Sequence, residues 1–436
     1  MPRIRWFKLE LVPDLDLGEG ARPPSIHSDC RRMSISCFSS PEKVVTDYLR
    51  SLLDSANLEF VITVPAMWPD KAKMSTLSCA EKAGFGDMST IHIISEPEAA
   101  AIHSLRAPGH PLADIGDTFI LLFMITGLEP YVRLREEAPG TGSMCDSTFL
   151  NKSFEKLLDE RLSHLPGWDR DTLDEAMQRY ESVVKRVYEG STDHDFMFPV
   201  PEMRKLFLPT IRDIEKLVRE QLQTSRAEVK AVLLVGGFGQ SPYLRKHLRD
   251  CFSPGVQVIA PVDGWTAVVR GALAKTLGDI SDTTAKAFIE SRKARANYET
   301  IYWTYFYGEY CIDVMRWFVR KGDDMEEAKA IKTKWTKRRR IKDGPFSSIS
   351  VSLYKVDTAL GEKPPLYFNR RVNQHATLNP SLGVIEKERI PIERGADNKL
   401  YYVVQYEIHA VYYSAHYVYT LWYEGRNYGS VKADYI

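Results

Sequence analysis

The chain has 436 residues, and its 58 basic and 58 acidic side chains give a formal net charge of zero. A hydrophobic fraction of 44% is enough for packed cores, which excludes a wholly disordered chain, and the length predicts two or three domains. Zero net charge argues against a protein that binds nucleic acid or a membrane surface along its whole length. The longest apolar run, Phe119 to Ile125, is far shorter than the roughly 18 residues of a membrane span.

Six cysteines are spread through the chain, and no two of them form a Cys-x-x-Cys pair. This spacing indicates neither a zinc site nor a disulfide framework, so we expect reduced thiols and no metal site. The N-terminus, Met1 to Trp6, lacks the apolar segment of a secretory signal. Together these features predict a cytoplasmic protein with no membrane or nucleic-acid partner.

The first part of the chain alternates between short apolar strands and amphipathic helices. Residues 1–40 are rich in Pro, Gly and Ser and are expected to be irregular. Strands are predicted at 59–64, 91–94, 118–125, 230–235 and 256–260. Helices are predicted from residue 41 and at 70–84, 97–105, 147–163, 171–189, 202–224, 242–251 and 265–277. This alternation predicts an α/β domain over residues 41–280 with a parallel or mixed sheet.

The rest of the chain has a different character. Residues 281–345 are predicted as a linker and a charged helical or hairpin segment, which contains the basic run Lys332 to Lys342. Residues 346–436 are predicted as a β-rich module. Leu400 to Tyr423 is dense in Tyr and Val with stretches of period two, which is typical of antiparallel strands.

The sharpest local signal is a glycine-rich turn between a strand and a helix, residues 235–242 (VGGFGQSP). Glycines at this place let backbone N–H groups approach a ligand, and the next helix begins at Ser241-Pro242. A nucleotide contact and a tight strand-to-helix turn explain the pattern about equally well, because it matches neither a P-loop nor a dinucleotide fingerprint.

Three weaker signals each have a structural alternative. Glu96 lies at a strand-to-helix junction, where a carboxylate can organise a metal-bound water or can simply cap the helix. Gly140-Thr141-Gly142-Ser143 precedes a helix and is either an approach to a phosphate or sugar or only a turn. Lys185 and Arg186 lie on an amphipathic helix and either contact a nucleotide or form a solvated face.

Four segments in the right order resemble the actin-like ATPase superfamily and, within it, the DnaK-type heat-shock chaperones. The resemblance is collinear over residues 41–277. The segments are 60–66 (FVITVPA), 93–101 (IISEPEAAA), 231–242 (AVLLVGGFGQSP) and 267–272 (AVVRGA). The resemblance implies an actin-like, ribonuclease-H-like domain with an incomplete first lobe, followed by the β-rich module.

The resemblance also implies roles for individual residues. Glu96 would lie near magnesium and the attacking water, and Gly236 and Gly237 would lie against the adenosine and the α-phosphate of ATP or ADP. Lys185 and Arg186 would lie on the adenine side. The remaining candidate contacts to the nucleotide are Gln240, which replaces the family's adenine-packing Arg, and the loop residues Gly140, Thr141 and Gly142.

The phosphate-binding motifs of the family have no counterpart here. The first glycine-rich hairpin and the catalytic lysine of that lobe are absent near the N-terminus, so we expect the chain to start inside the first lobe. Residues 122–130 (LFMITGLEP) lack the acidic residue and the Gly-Gly-Gly of the second hairpin. Phosphoryl transfer depends on such positioned amides and on an ordered metal, and loss of one donor costs about 100-fold or more in rate. A pseudo-ATPase and an incomplete gene model both explain these departures.

The leading hypothesis is a chaperone-like nucleotide-binding protein whose ancestral activity is ATP-gated conformational switching, with weak or no ATPase activity in this form. Its partners would be a protein client or a co-chaperone. The alternative is a nucleotide-independent interaction or scaffold protein that uses the β-rich module. A sugar or glycerol kinase of the same superfamily fits less well, since it would need the same missing hairpins.

Overall fold

The structure, a computed structural model, describes residues 40–50, 59–66, 68–88, 90–105, 118–119, 123–127, 131–140, 147–190, 200–261, 263–280, 287–306, 310–327, 329–347, 349–395, 397–413 and 415–436. The chain divides into two compact units. Unit 1 comprises Met1–Trp68 and Thr76–Ile289, and unit 2 comprises Pro69–Ser75 and Glu290–Ile436. Among the helices of the described ranges, none combines the length and the apolarity required to cross a membrane.

Unit 1 contains short strands alternating with helices, as the hydrophobic pattern predicts. The strands are β1 (Val61–Val64), β2 (His92–Ser95), β3 (Thr118–Phe119), β4 (Phe123–Gly127), β5 (Val132–Glu136), β6 (Val229–Leu233) and β7 (Gln257–Ile259). The helices are α1 (Pro41–Arg50), α2 (Asp70–Ala83), whose first residues are counted with unit 2, α3 (Glu96–Leu105), α4 (Ser147–Leu162), α5 (Arg170–Arg179), α6 (Val200–Thr224), α7 (Gly236–Gly239), α8 (Pro242–Phe252) and α9 (Ala267–Ile280). α5 continues through a π-helical turn, Tyr180–Val184, into a last turn, Lys185–Val187.

Five neighbouring strands of unit 1 lie in the order β5-β4-β3-β6-β7. β3 pairs with β4, and β4 with β5, in antiparallel fashion, whereas β6 is parallel to β3 and β7 is parallel to β6. β1 and β2 form a separate parallel pair. Parallel neighbours need crossover connections, and the helices between β5 and β6 and between β6 and β7 supply them.

The prediction of one continuous strand over 118–125 is wrong. The chain forms β3 at Thr118–Phe119 and then β4 at Phe123–Gly127, and the two strands are antiparallel. A uniformly apolar run has no period that marks a turn, so the sequence pattern could not show where the first strand ends.

Helices α3 and α9 of unit 1 lie so close together that there is no room for a side chain at their point of contact. A Cβ atom on Gly271 of α9 would lie 1.6 Å from the backbone oxygen of Ala99 on α3. Ala99, Ala101 and Ile102 of α3 lie in one buried apolar cluster with Ala272 of α9. The small residues of the 93–101 and 267–272 segments therefore let the two helices pack backbone against backbone.

We expect Gly271→Ala to destabilise unit 1 by an amount at or above the upper end of the about 1–3 kcal/mol typical of overpacked cores. The clash is with backbone, so no side-chain rotation can relieve it. Urea titration with limited proteolysis of the full chain measures the effect. Gly237→Ala is the matched control, because a Cβ there meets nothing within 4 Å, and it should change stability by less than about 0.5 kcal/mol. Equal stability of the two variants would contradict the close packing.

Unit 2 is built from antiparallel strands. β8 (Ala287–Lys293) crosses the boundary between the units in the sequence and pairs at its end with β11 (Asp324–Glu326). The other strands are β9 (Asn297–Phe306), β10 (Tyr310–Val319), β12 (Ala330–Arg340), β13 (Val351–Val356), β14 (Asn373–Asn379), β15 (Ile392–Arg394), β16 (Leu400–Tyr413), β17 (His416–Tyr423) and β18 (Arg426–Tyr435). They form one nine-stranded sheet in the order β10-β9-β13-β14-β18-β17-β16-β12, with β15 paired to β16.

The nine-stranded sheet curls around a core of its own. Buried side chains of β13, β14, β16, β17 and β18 share one apolar cluster, together with residues of the loops that precede β13 and β15. Strands that are distant in the sheet order contribute to the same cluster, for example Leu353 on β13 and Val404 on β16. Unit 2 thus buries one face of a folded-over sheet, as the period-two pattern of the tail predicts.

Strands predominate in the described part of residues 281–345, the stretch predicted to be a linker and a charged helical or hairpin segment. The part from Asn297 onward supplies β9, β10 and β12 to the same sheet as residues 346–436. The basic run lies largely in β12, which pairs with β16 along eleven residues, Ala330 to Arg340. Every second residue from Lys332 to Arg338 is exposed, so the high charge reflects a solvated face of an edge strand. Lysines on such an edge oppose further strand pairing.

A buried ion pair lies inside unit 2. Asp70 Oδ1 is 3.4 Å from Lys73 Nζ, and Asp70 Oδ2 is 3.1 Å from His375 Nε2 on β14. Burial alone would raise the pKa of the Asp70 carboxyl, but Lys73 and His375 outweigh it and hold that pKa well below its usual range. The Asp70 carboxylate in the first turn of α2 thereby contacts His375 of the sheet.

Glu299 on β9 is a buried acid without a counter-charge. It is fully buried, and neither carboxylate oxygen has a hydrogen-bond partner among the described residues. Burial raises the pKa of Glu299 from 4.5 to about 8. The folded protein therefore keeps this proton at neutral pH, whereas the unfolded chain loses it above its ordinary pKa.

The raised pKa of Glu299 predicts that the free energy of unfolding falls between pH 4.5 and about 8, by up to about 1.4 kcal/mol for each pH unit. Glu299→Gln keeps the shape of the neutral acid and removes its titration. The variant should gain stability relative to the parent as pH rises from 5 to 8, and this difference cancels the titration of other groups. Urea titrations at four pH values measure it, with exposed Glu386→Gln as the control. A difference that does not change with pH would show that Glu299 is ionised in the folded state.

Candidate functional site

The glycine loop, residues 234–241, connects β6 to α8. Its three glycines differ in backbone conformation and in surroundings. Gly236 has a φ of +79°, a left-handed conformation that favours glycine. A Cβ on Gly239 would lie 2.8 Å from the backbone carbon of Leu234, so this glycine permits the tight turn. Around Gly237 a Cβ would meet nothing within 4 Å. The backbone at Gly236 and Gly237 is therefore open to a ligand.

The helix that follows the glycine loop begins at a well-formed cap. The Ser241 hydroxyl accepts a hydrogen bond from the Leu244 N–H at 3.4 Å, and Pro242 occupies the first helical position. These are the start signals that the sequence shows. Because the cap fixes the end of the loop, the open backbone is held in one place relative to β6.

Gln240 joins the glycine loop to a second segment, the Asp263 loop, of which Pro261, Asp263 and Gly264 are described. Its Nε2 donates a hydrogen bond to the Pro261 carbonyl at 3.2 Å. A Cβ on Gly264 would lie only 2.7 Å from the same nitrogen. Gln240 thus holds the two loops together.

A charged cluster that the sequence analysis did not identify surrounds Asp263. Asp263 Oδ2 is 3.0 Å from His103 Nε2 on α3 and 3.6 Å from an Arg270 nitrogen on α9. The hydrogen bond from His103 lowers the pKa of the Asp263 carboxyl, and the charge of Arg270 acts in the same direction. His103 and Asp263 are 160 positions apart in the chain, so no local pattern could have paired them.

Lys185 and Arg186 lie on the last helical turn after α5 and differ in their surroundings. Lys185 Nζ donates to Asn151 Oδ1 on α4 at 3.0 Å and is 3.6 Å from a Glu181 oxygen, and its side chain is mostly buried. Arg186 is exposed. The lysine therefore ties this turn to α4, and the arginine is the more accessible cation.

The same segment reaches the start of α8. The Tyr188 carbonyl accepts a hydrogen bond from the Tyr243 N–H at 3.2 Å. A Cβ on Gly190 would lie 2.5 Å from the Tyr243 ring, so only glycine fits beside it. Residues 185–190, the glycine loop and the Asp263 loop thus form one continuous group in unit 1.

Glu96 is connected to this group through helix packing. It is the half-buried first residue of α3, directly after β2. α3 packs against α9, which follows the Asp263 loop. Gly140 is the last described residue of the stretch after β5, and the predicted contacts Thr141 and Gly142 lie outside the described residues.

The chain is similar over part of its length to a known heat-shock protein. No protein-family model matches the chain. Over 273 residues the chain is 25% identical to heat shock 70 kDa protein 14 of Danio rerio, a match that covers 54% of this chain and 52% of that protein. The chain therefore spans about half the length of this relative. The similarity supports a distant relationship to the seventy-kilodalton heat-shock proteins, in agreement with the four sequence motifs.

Proposed function

We propose that unit 1 is a chaperone-type nucleotide-binding module that receives the adenosine end of ATP or ADP at the glycine loop. The observation that carries this proposal is the open backbone at Gly236 and Gly237, held between β6 and a capped helix. The distant similarity to a heat-shock protein supports the same assignment.

The strand order of unit 1 is compatible with this proposal. Three antiparallel strands, β5-β4-β3, are followed by two parallel strands, β6 and β7. Ligands of open sheets with parallel strands bind outside the carboxyl ends of those strands. The glycine loop leaves the carboxyl end of β6, and the Asp263 loop follows β7.

The predicted site residues other than those of the 140–142 loop each have a role in the proposed complex. Gly236 and Gly237 would lie against the nucleoside and the α-phosphate, and Arg186, which is exposed, would contact the nucleotide from the adenine side. Gln240 and Lys185 act indirectly, since their polar groups hold the loop and the helical turn in place. Glu96 would lie near magnesium, which prefers carboxylate oxygens and phosphate oxygens as ligands.

We further propose that nucleotide binding is accompanied by little or no hydrolysis. The sequence between β3 and β5 contains no Gly-Gly-Gly run preceded by an acidic residue, which is the pattern of the family's phosphate hairpin. Without aligned amides and an ordered metal, the charge on the transferring phosphoryl group has no fixed partner. A nucleotide would then act as a conformational ligand, and the protein clients of a chaperone would be its partners.

Calorimetric titration of the full chain with Mg-ATP and Mg-ADP tests the proposal. Gly237→Asp should weaken binding at least tenfold, about 1.4 kcal/mol, because it places a carboxylate where the phosphate approaches. The fold should tolerate this change, since the position is open.

Gly255→Asp is the matched control for this titration. Gly255 is exposed after α8, and a Cβ there makes only an ordinary contact of 3.8 Å. Circular dichroism establishes that each variant is folded. Equal affinity of the two variants, or no heat of binding from a folded parent protein, would overturn the nucleotide assignment.

A second function, client binding by unit 2 without nucleotide, is favoured by one specific surface. Leu366, Tyr367 and Phe368 are consecutive and are 59%, 51% and 47% exposed. The Leu366 carbonyl accepts a hydrogen bond from the Met315 N–H at 2.9 Å, so β10 holds this apolar segment in place. Ordered apolar side chains in a row are typical of interaction surfaces.

We expect Leu366→Ser with Tyr367→Ser to reduce the ability of the protein to suppress aggregation of a denatured test protein by at least half. Leu400→Ser, at an apolar side chain 45% exposed elsewhere in unit 2, should have no effect. Light scattering with and without Mg-ATP measures the suppression. If both changes leave it unaltered, the 366–368 segment is not the client surface.

A further inference from the structure

A cluster of three metal-ligating side chains lies in unit 1 and takes no part in the proposed nucleotide site. Glu215 on α6, His247 on α8 and Cys251 on α8 each offer one ligand atom, and the three atoms lie within 4.8 Å of one another. It is the one such group in the part of the chain that the structure describes. All three side chains are half-buried, so the cluster is sheltered but open to solvent.

The distances within the cluster fit a tetrahedral metal ion. His247 Nε2 is 2.9 Å from Glu215 Oε2 and 3.6 Å from Cys251 Sγ. Around a zinc ion with bonds of about 2.0 Å to nitrogen and oxygen and about 2.3 Å to sulfur, ligand atoms lie about 3.3–3.6 Å apart. The nitrogen and sulfur already have this separation, and the carboxylate needs only a small outward movement.

The geometry argues against a nucleophilic triad of the same residues. In a triad, the acid and the nucleophile contact different nitrogens of the histidine ring. Here Glu215 and Cys251 both contact Nε2 of His247. Three ligand atoms that converge on one point are the arrangement that a single cation requires.

The helices hold the ligands in place. His247 and Cys251 are four residues apart and therefore lie on the same face of α8. On α6, Arg219 donates to Glu215 Oε1 at 2.8 Å, which leaves Oε2 directed at His247. The Arg219 guanidinium also lies 5.2 Å from the centre of the Phe252 ring. A hydrogen-bonded carboxylate with one free oxygen is the usual form of a metal-ligating carboxylate.

We propose that Glu215, His247 and Cys251 bind a zinc-class divalent cation, with water as the fourth ligand. The thiolate and the imidazole favour zinc or a similar borderline-soft ion over magnesium, which prefers oxygen. Such an ion would join α6 to the C-terminal half of α8, the helix that begins at the glycine loop. The proposal is independent of nucleotide binding.

Metal titration of the full chain, first stripped with a chelator, tests the site. The stripped protein should bind one equivalent of Zn²⁺ in competition with a chromophoric chelator. With Co²⁺ it should show a thiolate-to-cobalt charge-transfer band and the visible absorption of a tetrahedral ion. A folded protein that binds no ion, or binds Co²⁺ without a thiolate band, overturns the proposal without any variant.

Single substitutions test which side chains bind the metal ion. Cys251→Ser should remove the thiolate band, and His247→Gln should lower zinc affinity at least tenfold. Arg219→Met keeps all three ligands and should weaken binding about 10–100-fold, because the carboxylate loses its partner. Cys79→Ser, at a buried cysteine on α2, is the matched control and should leave the band unchanged. Retention of the band in Cys251→Ser, or its loss in Cys79→Ser, assigns the ion to other thiols and refutes the site.

Discussion

The arrangement of unit 1 depends on the contact between the backbones of α3 and α9. Gly271 has no side chain, and this lets α9 lie against the Ala99 carbonyl. Because α9 follows the Asp263 loop directly, the position of the helix also sets the position of that loop. Through Gln240 the loop then determines where the glycine loop lies. One close approach between two helices thus propagates to the candidate binding site.

The segments of the candidate site are held together by several hydrogen bonds, each of an ordinary kind. Gln240 bonds the Asp263 loop, Lys185 bonds α4, and Tyr243 bonds the segment after Lys185. None of these groups needs to touch a ligand in order to matter for binding. They connect the glycine loop to neighbouring segments, and a preformed surface would bind the proposed ligand at a lower entropic cost than one that must be ordered.

Unit 2 follows a different principle, in which a sheet curls over and buries one of its faces. The charge of the buried Asp70 carboxylate is compensated by Lys73, whereas Glu299 is buried without a counter-charge and stays protonated at neutral pH because burial raises its pKa. Both arrangements keep net charge out of the interior. Charged side chains on β12 face solvent at the edge of the sheet, where they oppose pairing with another chain.

Local features of this protein were determined by its sequence alone. The period of apolar residues located most strands and helices, and Ser241-Pro242 marked the start of α8, because these signals act within a few residues. Tertiary structure decided the rest. It divided the apolar run at 118–125 into two strands, placed the basic run in a sheet, and paired His103 with Asp263. It also brought Glu215 to His247 and Cys251. Such contacts join residues far apart in the chain, and packing of the whole domain selects them, so no local pattern records them.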